Sequence, residues 1–195
     1  MEKFTKKLLF YAGMGLALIV IAELVFFAYL KLKEIKYNQQ FNLTCVSEQT
    51  DEIVRGQSLS GLIAEGQTVK LLKNFYNCNP VQRGDIVAYN YSRLPEPIIK
   101  IVKGLPGDQF NLQKNERGSY NVLINGKIIA TSANQPYVLQ AGTQKMLELY
   151  INDYKGVIPP DTYLIFGNLA LGSLDSTQFG LVGKEGILGK IEVKK

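Results

Sequence analysis

The chain of 195 residues has no histidine and only two cysteines, so chemistry that needs an imidazole base or ligand is closed to it, and so is a four-thiolate zinc site. The nucleophilic pairs that remain use serine or threonine with a lysine or an amino terminus as base. Two short segments hold the residue types for such a pair. In Gly56-Gln-Ser58-Leu-Ser-Gly61 a serine sits on a glycine-bounded turn, and in Ile98-Ile-Lys100-Ile-Val102 a lysine has apolar neighbours on both sides. Burial of Lys100 would lower its pKa, because desolvation disfavours the ammonium, and the neutral amine could then take the proton of a serine hydroxyl. Each segment also has a plainer reading, since a Gly-Ser-rich turn is usually only a turn and a strand lysine usually points to solvent. A catalytic cysteine is disfavoured because no histidine can activate it. Neither a metal nor an organic cofactor is implied.

These segments lie in a region of short β-branched runs punctuated by Gly, Pro and Asn. The runs are Thr68–Leu72, Asp85–Asn90, Pro97–Val102, Tyr120–Ile124, Lys127–Ala130 and Thr162–Phe166. Asn125-Gly126 between two of them predicts a two-residue hairpin turn, since this pair accepts positive φ at both positions. Only Gln140 to Tyr150 has a helical pattern. The expected fold is therefore a mostly β domain over residues 53–195. Ahead of it, residues 8–30 are 23 positions with Glu23 as the only charge, enough at about 1.5 Å per residue to cross a hydrocarbon core of about 30 Å. They predict one transmembrane helix, an uncleaved signal anchor, between a flank at 1–7 and a linker at 31–52 rich in Asn, Gln, Ser and Thr. Glu23 reads as a carboxylate that a strongly apolar helix tolerates or as a polar contact to another helix.

The net charge of +5 comes from six basic and three acidic residues in positions 1–36, and sixteen against fourteen in the rest. More than half the excess flanks the apolar run. The domain has no cluster of four or more Lys/Arg, which argues against nucleic-acid binding. Orientation by charge is a near tie between Lys3, Lys6 and Lys7 before the span and Lys31, Lys33 and Lys36 after it.

From Val54 to the C-terminus, four blocks in order resemble the type I signal peptidases, membrane-anchored serine proteases with a Ser-Lys dyad. Ser58-Leu-Ser-Gly-Leu-Ile-Ala-Glu-Gly66 keeps the serine, the apolar residue after it and the glycine eight positions on from the family's Ser-Met-x-Pro-Thr-Leu-x-x-Gly-Asp. Arg83-Gly-Asp-Ile-Val87 matches the family's Gly-Asp-Ile-Val entry to a strand. Lys100-Ile-Val-Lys-Gly-Leu-Pro-Gly-Asp108 is similar to Lys-Arg-Val-Val-Gly-Leu-Pro-Gly-Asp. Gly167-Asn-Leu-Ala-Leu-Gly-Ser173-Leu-Asp175-Ser176-Thr-Gln-Phe-Gly180 keeps the Ser-x-Asp-Ser core of Gly-Asp-Asn-Arg-x-x-Ser-x-Asp-Ser-Arg and the Phe-Gly after it.

The resemblance implies Ser58 as nucleophile, Lys100 as general base, Ser173 hydrogen-bonded to the Lys100 amine, and Asp175 bracing the site. The chain departs from the pattern at Ile101, Asn168, Leu169, Ala170 and Thr177, so Asp175 lacks the family's arginines. Gly56 stands where some members carry a serine that donates to the oxyanion, and a glycine there lets the substrate backbone come close. The implied substrates are preproteins with signal peptides, with small residues one and three positions before the cut. The implied location is a lipid membrane crossed once, with the domain on the extracytoplasmic face.

Two further readings remain at this point: a peptidase of the same chemistry dedicated to a pilin or conjugative-transfer precursor, and a catalytically silent membrane-anchored β module. Cys45 and Cys78 either pair in an oxidising compartment or stay reduced. The sequons at Asn42 and Asn90 carry no assigned role.

Overall fold

A computed structural model of the chain describes residues 19–32 and 41–193. Residues 1–43 and 44–195 form two separate units. In the first, residues 19–32 are helical (α1), overlapping the expected span over 19–30 and running two residues into the stretch expected as linker. Positions 8–18 of that span and the flank at 1–7 lie outside the described residues, among which no helix is long and apolar enough to cross a membrane.

The second unit is mostly β, as the residue patterns predict. Its larger sheet has seven strands: β1 (Glu48–Ile53), β2 (Thr68–Lys73), β3 (Ile86–Tyr89), β4 (Ile98–Gly104), β9 (Thr162–Phe166), β10 (Val182–Gly183) and β11 (Ile187–Val193). Their spatial order is β1-β2-β11-β3-β4-β9-β10, with every pairing antiparallel. The smaller sheet holds β5 (Phe110–Lys114), β6 (Tyr120–Ile124), β7 (Lys127–Ile128) and β8 (Val138–Leu139). Helices α2 (Lys145–Asp153) and α3 (Ser176–Phe179) complete the unit.

Alternation decides what is buried. In β3 and β4, Lys100 pairs with Val87 and Ile101 with Ile86, so Ile86, Ala88, Ile99 and Ile101 share one face and Lys100 the other. That first face joins a core of Val54, Leu59, Ile63, Val69, Leu71 and Ile191. A second core gathers Phe110, Val122, Ile124, Tyr137, Leu147 and Phe166. β4 lies between β3 and β9, so a lysine in it is remote from either sheet edge.

The Asn125-Gly126 turn forms as expected, with φ of 50° and 74°. Leu105-Pro106-Gly107-Asp108 is a turn closed by the Asp108 N–H on Leu105 O at 3.0 Å, and Gly107 has φ 84°, which a side chain would strain. The Asp108 carboxylate accepts from Leu105 N, Arg83 and Asn125 and so ties this turn to the hairpin.

Three local differences from the sequence patterns have physical causes. β1 takes in all of residues 48–53, five of which belong to the stretch expected as linker. It is a polar edge strand with no alternation, and its partner β2 recruits it over six register pairs. α2 begins at Lys145 rather than Gln140, because Gly142 at φ 102° lies outside helical space. β7 ends at Ile128, and Ala130 instead bridges Pro136. Cys45 and Cys78 are joined by a disulfide with Cα atoms 5.8 Å apart, which staples the chain just ahead of β1.

Candidate active site

Ser58 lies on a turn rather than in a regular element, and burial of Leu59 and Ile63, each 1% exposed, fastens that turn to the first core. Lys100 projects from β4 and is 3% exposed. The two meet: Lys100 Nζ donates to Ser58 Oγ at 2.9 Å and to Ile99 O at 2.9 Å. Burial pushes the Lys100 ammonium down from its ordinary value of 10.5 to about 8, against the Asp175 carboxylate, which favours the charge. The result is an amine a large fraction of which is neutral at mildly alkaline pH, within hydrogen-bond reach of a hydroxyl.

Asp175 is fully buried and caps the N-terminus of α3. Its Oδ1 accepts from Thr177 N at 3.0 Å and Thr177 Oγ1 at 2.7 Å, and its Oδ2 from Ser173 Oγ at 2.7 Å and Gly167 N at 3.0 Å. All four donors are neutral, and two of them come from Thr177, which stands at a position the family pattern gives to arginine. Ser173 is drawn into this set. The resemblance implied a hydrogen bond from Ser173 to Lys100, whereas its hydroxyl goes to Asp175, because a buried carboxylate is the stronger acceptor.

Gly167 directly follows β9 and meets the Ser58 turn. A Cβ there would lie 2.7 Å from Ser58 O and closer still to Ser173 Oγ, so only glycine lets the two segments touch. Gly56, at φ 81°, has open space around its Cα, and its N–H donates to Glu65 Oε1 at 3.1 Å. It needs glycine for its backbone angle, not for room.

Sequence reasoning missed Asn168, treated there only as a departure from the pattern. Its backbone N–H donates to Ser58 O at 2.6 Å, and its side chain bonds Ser60 and Ser132. Its place directly after Gly167 was the available signal; the partners, 36 and 108 residues away, gave none. A cleft of about 770 Å³ opens beside this Ser–Lys pair, walled by Ile53, Val54, Leu94, Ile98, Ile99 and Leu188, with Ser58 and Lys100 at its lining. Among the described residues no cluster of acidic or sulfur side chains suits a metal ion.

The family model described as "Signal peptidase, peptidase S26" matches residues 44–194. A signal peptidase I of Bacillus caldolyticus is 29% identical over 150 residues, covering 73% of this chain and 76% of its own. A signal peptidase IB of Staphylococcus aureus is 26% identical over 156 residues, covering 74% and 76%. The crystal structure of a signal peptidase I from Enterococcus faecalis aligns over 57% of this chain and 97% of its own, with 21% identity and a TM-score of 0.42.

Proposed function

We propose, since the chain belongs to the signal peptidase family, peptidase S26, that this serine endopeptidase removes signal peptides from exported preproteins with Ser58 as nucleophile and Lys100 as general base. The observation that carries the reading is the 2.9 Å contact between Lys100 Nζ and Ser58 Oγ at a lysine almost closed to solvent. When Lys100 is neutral, its lone pair accepts the Ser58 proton as Oγ bonds to the scissile carbonyl carbon. The ammonium then returns that proton to the leaving amine as the C–N bond breaks. A water deprotonated by Lys100 attacks the acyl ester, and Ser58 regains its proton.

The Ser58 N–H makes no hydrogen bond among the described residues and is free to donate to the oxyanion. The Gly56 N–H is engaged by Glu65, so a glycine here contributes close approach rather than a donor. Asp175 holds the Gly167 end of β9 against Ser58 through its bond to Gly167 N, with Ser173 buttressing the carboxylate. The apolar cleft receives the residues before the cut in extended form.

Residues 8–30 as a single membrane span would keep the domain at the extracytoplasmic face, where the substrate's own apolar segment is also held. This confinement raises the effective concentration of the reacting pair. The full chain reconstituted in lipid vesicles with a preprotein should release the mature protein, and Ser58→Ala and Lys100→Met should each abolish release. The double variant should be no worse than either single, since the two act as one unit. Cleavage that persists in Ser58→Ala would remove the dyad from the mechanism.

A further inference from the structure

Asn168 reaches the nucleophile's turn from outside it. Its backbone N–H donates to Ser58 O at 2.6 Å, its Nδ2 donates to Ser60 O and to Ser132 Oγ, each at 2.8 Å, and its Oδ1 accepts from Ser132 N at 2.8 Å. Both amide hydrogens and the amide oxygen are used, and the residue is 7% exposed. The turn's own hydrogen bonds, Ser60 N to Gln57 O and Leu62 N to Leu59 O, are local and cannot fix where the turn lies relative to β4. Gly61, at φ 85°, passes so close that a Cβ there would stand 3.3 Å from Asn168 Nδ2, so the turn is shaped around this side chain.

We infer that Asn168 is a positioning residue for the cleavage reaction, which with Ser132 holds the Ser58 turn in register with Lys100. The inference rests on the reading of Ser58 as nucleophile. An amide suits the task where a carboxylate would not. An ionised aspartate has no N–H for Ser60 O or Ser132 Oγ and would set a lone pair against the Ser60 carbonyl. It would also add an anion beside a dyad that Asp175 already faces. The departure from the family's Gly-Asp at Gly167-Asn168 is therefore a gain of two donors.

Neither Asn168 nor Ser132 lines the cleft, so their loss should leave substrate binding alone and misplace only the attacking oxygen. The test is steady-state cleavage of a fluorogenic peptide with Ala at positions one and three before the cut, by the full chain in detergent. Asn168→Ala should lower kcat about 100-fold with KM unchanged, the scale of an ångström-sized misplacement of a reacting group. Ser132 is exposed, so its variants carry the test without threatening the fold. Ser132→Ala should cost about tenfold in kcat, about 1.4 kcal/mol, as for one lost hydrogen bond, while Ser132→Thr restores it by keeping the hydroxyl. Adding Ser132→Ala to Asn168→Ala should change nothing more. An unaltered kcat in both single variants, or losses confined to KM, would overturn the positioning role. Residual cleavage in Ser58→Ala, measured alongside, would instead overturn the dyad on which it rests.

Discussion

Replacing Lys100 by methionine should abolish cleavage yet make the domain more stable at neutral pH. Burial lowers the lysine from 10.5 to about 8 in the folded chain, so between those values the unfolded chain binds a proton that the folded chain does not. Stability therefore rises with pH across that window, and below about 8 the full penalty applies. At about 1.4 kcal/mol per pH unit the penalty is about 3 kcal/mol. Methionine fills a similar volume without charge but gives up the bonds to Ser58 Oγ and Ile99 O, each worth about 1 kcal/mol. The variant should thus gain about 1–2 kcal/mol at pH 7, or about 2–8 °C in Tm for a domain of this size.

By pH 10 little of the penalty remains and the lost hydrogen bonds dominate, so the order should reverse. Thermal unfolding of the detergent-solubilised full chain and its Lys100→Met variant at pH 7 and pH 10 measures both signs. Comparing the two proteins cancels every other titrating group they share. A variant less stable than the parent at pH 7, or a difference that does not change between the two pH values, would refute the claim that Lys100 is a buried, strained ammonium.

Cleavage itself should rise along a single-proton limb centred near pH 8, the value to which burial pushes Lys100, so that activity at pH 7 is about a tenth of its plateau. Asp175→Asn should move the midpoint lower, because it removes the carboxylate that favours the ammonium, and a flat profile from pH 6 to 9 would exclude lysine as base. Cutting the Cys45–Cys78 bridge, by reductant or by Cys45→Ser with Cys78→Ser, should cost about 4 kcal/mol by the chain-entropy estimate for its separation of 33 residues. Because the bridge anchors the chain ahead of β1, whose Asp51, Glu52 and Ile53 line the cleft, KM should rise more than kcat falls; denaturant midpoint and steady-state kinetics read the two effects.

What the sequence exposed and what it hid follow from how far each determinant reaches along the chain. β9 and β6 were legible to the residue because their apolar runs are bounded by turn chemistry, and the Asn125-Gly126 hairpin was legible because positive φ leaves a compositional trace. β1 was not. Glu48-Gln-Thr-Asp-Glu-Ile53 carries no period of two, and its structure is a property of β2's free edge. At the site, Ser58 and Lys100 could be named from type and setting, since a Gly-bounded serine and an apolar-flanked lysine are local facts. Their contact across 42 residues is not local, and neither is the Asn168 clamp across 108. Ser173 shows the converse: its identity was readable, but its partner was set by a competition between two acceptors that only folding resolves.

The departures from the family pattern form one electrostatic argument rather than separate losses. With Ile101, Asn168, Ala170 and Thr177 the chain dispenses with three cations and an anion of that pattern together, and what remains around Ser58 and Lys100 is a single buried carboxylate held by neutral donors. Arginines left without an opposing carboxylate would press Lys100 further toward the neutral form. A second carboxylate without arginine would press it toward the ammonium. Removing both signs keeps the proton affinity of Lys100 governed mainly by burial, the largest influence on it, with Asp175 as the opposing charge. Hydrogen bonds from Ser173, Thr177, Gly167 and Asn168 then supply by geometry the rigidity that ion pairs would supply by charge, and they do so without adding a charge that would retune Lys100.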